Sequence, residues 1–127
     1  MKRITIIISF LVLNSVFGLA QKAEFSFLEK PVIKWDKTPE GQILSHYFVF
    51  ENSGSEPLVI SEAKVTCPCT KVEFPEYPIS PNKTDSILVT FDTNKKAYFQ
   101  DRTVQILSNA KKNPTLKLKV YVIPKEE

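Results

Sequence analysis

The amino-acid sequence predicts an all-β protein with an immunoglobulin-like β-sandwich of about seven or eight strands. Short runs of β-branched and aromatic residues recur along residues 21–127, and in several runs apolar and polar residues alternate. Nine prolines and clusters of turn-forming residues separate these runs at short intervals. No stretch of this part of the chain has the period of an amphipathic helix. Many short strands with frequent turns are typical of a sandwich.

The first four predicted strands cover residues 24–28, 31–35, 43–50 and 58–60. Phe25 and Phe27 share one face of the first strand. Pro31 suits the start of a strand or the edge of a sheet, and Trp35 is predicted to be a core residue near one end of the sandwich. The run 43–50 is apolar on both faces, as a strand in the middle of a sandwich sheet requires.

The last four predicted strands cover residues 70–74, 86–91, 104–107 and 116–122. In the last of them, apolar residues from Leu116 to Val122 alternate with Lys117, Lys119 and Tyr121. Turns are predicted at residues 38–42, 51–57, 75–83 and 110–114, and a polar, mobile segment at 92–99. Residues 21–127 therefore form one domain, with no internal repeat.

The N-terminal segment, residues 1–20, is predicted to be a signal peptide. A basic start precedes the apolar run Ile4–Leu13, and the small residues at 18–20 suit cleavage before Gln21. The apolar run is shorter than the roughly 20 residues that span a bilayer. We therefore expect an exported protein, periplasmic or secreted, with no membrane span after cleavage.

Charge and composition argue against a nucleic-acid partner. The chain has a net charge of +3, but the leader carries Lys2 and Arg3, so residues 21–127 have a net charge of +1. No basic run interleaved with aromatic residues is present. A protein partner in the cell envelope is the better expectation.

Several motifs, in order, resemble those of domain-of-unknown-function family 1573, immunoglobulin-like domains of exported Bacteroidota proteins. The matching segments are 48–60, 65–70, 77–81 and 89–92, which hold an aromatic-rich strand, an Asn-Ser-Gly turn, a Cys-Pro-Cys-Thr segment and an Ile-Ser-Pro turn. The resemblance runs from about Trp35 to Val122 and so covers most of residues 21–127. It implies an immunoglobulin-like fold and an exported setting, and related sandwich domains mostly serve as interaction modules.

Two residues depart from the family pattern. Pro68 stands where the family usually has a glycine between two cysteines, and proline fixes φ and removes a backbone donor. Asn82 stands where a glycine usually follows Pro81, but asparagine can adopt the left-handed conformation that such a turn uses. The first change argues against a site lined by the backbone amide at that position, and the second is mild.

Cys67 and Cys69, the two cysteines of the chain, are the candidate chemical site. Four interpretations are open. The first is a disulfide between them, which requires a kink at Pro68. The second is a Cu(I) or Zn(II) site with two thiolate ligands, and the third is a bond to a thiol of a partner or of a second copy. In the fourth, the cysteines are two small buried residues without chemistry. The Cys-x-Cys spacing alone does not choose among them. His46, the single histidine, is the candidate third metal ligand, although a half-buried strand residue is the simpler interpretation.

No catalytic constellation is found. Glu73, Asp92 and Asp101 are carboxylates without a spacing that pairs them, and capping or solvated roles explain them. No Ser-His-Asp order or glycine-rich phosphate loop is present. The sequence predicts a non-catalytic interaction or scaffolding module that uses sheet edges or end loops. A thiol-redox or copper- or zinc-binding protein is the alternative.

Overall fold

The computed structural model describes residues 22–126, so the predicted signal peptide and its cleavage site lie outside the described residues. Within residues 22–126 the chain forms nine strands. They are β1 (Phe25–Phe27), β2 (Val32–Lys34), β3 (Thr38–Pro39), β4 (Ile43–Asn52), β5 (Ile60–Val65), β6 (Thr70–Glu73), β7 (Thr84–Asp92), β8 (Tyr98–Ser108) and β9 (Thr115–Ile123). This part of the chain contains no helix long and apolar enough to cross a bilayer.

The strands form two sheets whose apolar faces pack together. The first sheet has the order β1-β4-β7-β6, and all its pairs are antiparallel. The second has the order β2-β9-β8-β5, with β3 also paired to β9. In this sheet β2 and β3 run parallel to β9, and the other pairs are antiparallel. The predicted immunoglobulin-like sandwich is confirmed.

Strict alternation along the long strands builds the core. On β9, the apolar residues from Leu116 to Val122 are all buried, while Lys117 and Lys119 are exposed. On β7, Ile87, Val89 and Phe91 face the same interior. Because side chains alternate between the two faces of a strand, this pattern assigns one inner and one outer face to each sheet.

The structure departs most from the predicted element boundaries at three places. Thr38–Pro39 is a short strand rather than part of a turn, because it pairs with the end of β9. β5 runs from Ile60 to Val65, beyond the predicted 58–60, while Leu58 makes only an isolated bridge to Ile79. β8 begins at Tyr98, inside the segment predicted to be polar and mobile. In each case pairing with a distant strand decided the boundary, and local composition does not report such pairing.

Asn52 organises the end of the sandwich where β4 and β8 end, which we call the Asn52 end. Its side chain is fully buried and makes four hydrogen bonds. The carbonyl Oδ1 accepts from the Glu24 and Gly54 amides, and Nδ2 donates to the carbonyls of Glu56 and Ile79. One amide therefore ties together the N-terminal segment, the turn after β4 and the loop before β7. Within residues 22–126, every buried side-chain polar atom has a hydrogen-bond partner.

Gly54 is required at the Asn52 end by a close approach of backbone. A Cβ at this position would lie 2.1 Å from the carbonyl oxygen of Lys22. The amides of Ser53 and Ser55 donate to the Glu24 and Lys22 carbonyls, at 2.9 and 3.0 Å. The Asn-Ser-Gly turn thus receives the N-terminal segment, which explains its place among the family motifs.

Candidate functional site

The cysteine pair lies in the turn that leads from β5 in the second sheet to β6 in the first. The Thr70 amide donates to the Cys67 carbonyl at 3.1 Å, which closes a β-turn with Pro68 in its second position. Proline is favoured there because its fixed φ suits the turn and its missing N–H is not needed. The replacement of the family's glycine by Pro68 is therefore compatible with the local structure.

The two sulfurs are joined in a disulfide, and the Cα atoms of Cys67 and Cys69 lie 5.2 Å apart. This Cα separation lies within the range in which disulfides form, and the turn at Pro68 brings it about. Both cysteines are half-buried. Cys69 packs against the small core cluster formed by Phe91, Val120 and Val122.

His46 is a half-buried residue of β4, paired in register with Val89. Its ring contacts the Phe48 ring edge-on, with 4.7 Å between the centroids. Among residues 22–126, no three His, Cys, Asp or Glu side chains are grouped so that they could hold a metal ion. The structure thus brings the two sulfurs together but does not add His46 to them.

The three carboxylates weighed as catalytic candidates lie on different strands. Asp101 faces Lys119 across the β8–β9 pair. Asp92 ends β7, where its carboxylate accepts from the Asn94 amide at 2.9 Å. Glu73 is exposed at the end of β6. Each has a turn or surface role, and no two of them face each other in the strand registers.

Sequence reasoning did not single out a groove on the outer face of the second sheet. This aromatic groove has a volume of about 690 Å³, and its walls include Lys34, Trp35, Lys37, Phe99, Lys119 and Tyr121. It lies where β8 begins and β9 ends, which we call the Phe99 end. Phe99 is 81% exposed, and its ring meets the Tyr121 ring edge-on, with 5.0 Å between the centroids.

Tyr98, next to the groove, has an unusual backbone. Its φ is 65°, in the left-handed region that bulky side chains rarely adopt. This conformation places its ring 6.2 Å from that of Tyr121 while the residue stays 60% exposed. Asn82 also has a left-handed φ, of 66°, which confirms that it takes the conformation expected at the glycine position.

Lysines surround the aromatic rings of the groove. Lys34 and Lys119 are direct neighbours in the parallel pair β2–β9, and Lys119 faces Asp101 on its other side. The Lys37 ammonium lies 5.4 Å from the centroid of the Tyr121 ring, a cation–π contact. The one sequence signal for this site was Tyr121, an aromatic residue among the outward-facing lysines of β9.

A family model described as "Protein of unknown function (DUF1573)" matches residues 26–122. The chain belongs to this family. The motifs at 48–60, 65–70, 77–81 and 89–92 all lie inside the matched region. A comparison of the sequence with curated proteins finds no match.

Several solved structures share the fold. A protein of unknown function from Porphyromonas gingivalis W83 is 13% identical with a TM-score of 0.67, over 84% of this chain and 50% of that one. PapD-like domain 7 of human CEP192 is 14% identical with a TM-score of 0.61, over 97% of this chain and 100% of the domain. The Vibrio cholerae VesB protease is 15% identical with a TM-score of 0.58, over 77% of this chain and 32% of the protease.

The likeness to these structures concerns the fold alone. The chain spans about a third of the protease and half of the P. gingivalis protein. The match to a complete PapD-like domain supports the immunoglobulin-like assignment. No catalytic family is evident from these comparisons.

Proposed function

We propose that the chain is an exported, non-catalytic protein-interaction module of the cell envelope, and that its contact surface is the aromatic groove. The proposal includes three expectations from the sequence. They are cleavage of residues 1–20, a domain with the limits 21–127, and the Bacteroidota origin that the family resemblance implies. Support comes from the leader-like sequence at residues 1–20, from the sandwich fold and from the exposed aromatic side chains on its second sheet.

The sheet edges are poor docking sites. Edge strand β5 has a β-bulge between Ile60 and Glu62 and carries Glu62 and Lys64. Edge strands β1 and β2 are three residues long, and β6 is four residues long. Short, charged or bulged edges oppose strand addition. The outer face at the Phe99 end is therefore the better surface.

The observation that carries the proposal is the exposure of Phe99 beside two tyrosines. An isolated exposed apolar residue needs no explanation, but the rings of Phe99 and Tyr98 both contact the ring of Tyr121. Aromatic residues are enriched at protein interfaces and supply most of the residues that dominate binding energy. The backbone of Tyr98 is also strained, because its φ is left-handed. Such strain persists where the surrounding structure maintains it, and it is commonly found at functional sites.

Site-specific photocrosslinking tests this proposal. A photoreactive phenylalanine analogue replaces Phe99 in one variant and Tyr47 in another, since Tyr47 is a 60% exposed aromatic residue on the other sheet. Both variants are expressed in the native host and irradiated in intact cells. We expect a discrete crosslinked protein from position 99 and none from position 47. Identical patterns, or no crosslink at position 99, would contradict the proposal.

A second candidate, thiol–disulfide exchange, is favoured by the half-exposed Cys67–Cys69 bond. A thiolate of a partner dithiol would attack one sulfur, form a mixed disulfide and release the other cysteine as a thiolate. The partner's second thiolate would then attack the mixed disulfide, leaving a dithiol here and a disulfide on the partner. In the reduced state, the same two thiolates could bind Cu(I) or Zn(II).

Thiol counting and metal analysis test this second candidate. We expect no free thiol in the native protein and two after mild reduction, with the Cys67→Ser/Cys69→Ser variant as control. Retention of Cu(I) or Zn(II) by the anaerobically reduced protein, above that control, would support metal binding. A disulfide that resists dithiol reductants in the folded state would contradict the exchange role.

A further inference from the structure

We infer that the aromatic groove binds an acidic segment of a protein partner, with one apolar side chain of that segment seated between Trp35, Phe99 and Tyr121. This inference rests on the proposed function, because it specifies the chemistry of the partner at the same surface. It derives from three features: the shape of the groove, the surplus of positive charge around it, and the backbone hydrogen bonding beneath it.

The groove has the size of a binding site. Its volume of about 690 Å³ falls within the range of sites that enclose small ligands or side-chain anchors. The edge-to-face arrangement of Phe99 and Tyr121, with an interplanar angle of 86°, leaves an apolar corner between the two rings. Trp35 is half-buried beside it and also packs against both core clusters, so that wall is held rigidly.

The charges around the groove favour a negative partner. Three lysines line it, and they outnumber the two aspartates, Asp36 and Asp101. Lys34 and Lys119 are directly paired across β2–β9, and like charges at such positions repel each other. Asp101 offsets only one of them, because it faces Lys119. A carboxylate from a partner placed over Lys34 and Lys119 would relieve the remaining repulsion.

The opposite outer face shows that this charge is local. On the first sheet, the outward strand positions hold Glu51, Glu73 and Asp92 against a single lysine, Lys71. Tyr47, an exposed aromatic residue of that face, lies across from Leu88 in the strand register rather than from a second aromatic residue. The pairing of aromatic rings with surplus lysines therefore belongs to the Phe99 end.

The backbone beneath the groove is already hydrogen-bonded. β9 lies between β2 and β8 and bonds to both. A partner on this face cannot add a strand and must be recognised by its side chains. An aromatic centre with a charged rim is the composition of a protein interface, in which buried anchors give affinity and rim charges steer association. These features favour an acidic protein segment over a glycan.

The test is an NMR titration of the isotopically labelled residues 21–127 with a defined probe. The probe is a short peptide with one central tryptophan flanked by glutamates, and the control peptide has lysines in place of the glutamates. We expect the acidic peptide to shift the amide signals of residues 99–101 and 119–121, and the basic peptide to leave them unchanged. Because charges steer the association, affinity should fall as salt concentration rises.

Matched variants locate the binding site. Phe99→Ala should weaken binding of the acidic peptide by about tenfold, and Tyr47→Ala should leave it unchanged. Lys34→Glu/Lys119→Glu should weaken it by at least about tenfold, whereas Lys71→Glu on the opposite face should have little effect. In each variant, unchanged amide signals from residues outside the groove would show that the fold is intact.

Three results would overturn the inference. If polygalacturonate, an acidic glycan, shifts the groove signals and the acidic peptide does not, the groove is a glycan site. Concentration-dependent shifts of the same signals without probe, with dimers in sedimentation, would identify a second copy as the occupant. Equal binding of the acidic and basic peptides would show that the groove does not select a negatively charged partner. The proposed interaction function would then still be tested separately by the crosslinking experiment.

Discussion

The two ends of the sandwich use their side chains in opposite ways. At the Asn52 end, Phe50, Leu58 and Asn52 are completely buried. At the Phe99 end, Phe99 is 81% exposed and Tyr98 is 60% exposed on a left-handed backbone. The same few strands, chiefly β4, β8 and β9, connect the two ends.

Stability and recognition are therefore separated along the length of the strands. A buried, fully hydrogen-bonded amide contributes to stability because its loss would leave several buried groups without partners. Exposed aromatic rings contribute little to folding and are available to a partner. Substitutions at the Asn52 end should therefore lower stability, and substitutions at the Phe99 end should change binding.

The largest effect is expected for Asn52→Ala. It removes four hydrogen bonds and leaves the buried carbonyl of Ile79 without its side-chain donor, so the free energy of unfolding should fall by about 3 kcal/mol. Urea denaturation measures it. The control is Asn109→Ala, an exposed asparagine that bonds the Val59 amide and the Pro57 carbonyl, for which we expect a loss of about 1 kcal/mol. Equal losses would show that Asn52 does not organise its end.

Gly54→Ala should have the next largest effect. Its Cβ would collide with the Lys22 carbonyl, so the N-terminal segment must move away and the free energy of unfolding should fall by about 2 kcal/mol. Hydrogen exchange should show faster exchange of the Ser53 and Ser55 amides. In the control Gly41→Ala, the cost comes from a φ of 98° at a distant loop, so those two amides should stay protected.

Tyr98→Asn should instead stabilise the protein. Asparagine tolerates the left-handed region, so relief of strain should raise the free energy of unfolding by about 1 kcal/mol while binding at the groove weakens. Lys95→Asn is the matched control, because Lys95 also has a left-handed φ, of 58°, whereas it is the ring of Tyr98 that contacts the groove residue Tyr121. It should stabilise without any change in acidic-peptide binding. A loss of stability in Tyr98→Asn would show that the ring contacts outweigh the backbone strain.

The smallest effect concerns Tyr77, an exposed residue of the loop before β7. Its hydroxyl donates to the Asp85 carboxylate at 2.5 Å, and this hydrogen bond raises the pKa of Tyr77 above its ordinary value of 10.0. A raised pKa favours the neutral phenol in the folded state. The small stabilisation is therefore present below pH 10.0 and is lost as the pH rises through the folded-state pKa. Ultraviolet titration should show a late-titrating component that is absent from Tyr77→Phe and shifted back toward the ordinary value in Asp85→Asn.

Local sequence patterns are sufficient to predict the fold class and the placement of most strands. Alternation with a period of two is a local property, so Leu116 to Val122 could be assigned to a core face before any partner strand was known. The turn chemistry of Asn82 and the suitability of Pro68 for a kink are also local, and the structure agrees with both. The motif order was sufficient to indicate the family.

The tertiary structure alone decided the site. Lys34 and Lys119 are far apart in the sequence, and only the parallel pairing of β2 with β9 makes them neighbours. The sequence predicts a mobile segment at Phe99, because its strand depends on pairing with β9 and its exposure depends on what covers the sheet. Periodicity tells which face of a strand a residue occupies, but not which residues from distant strands share that face.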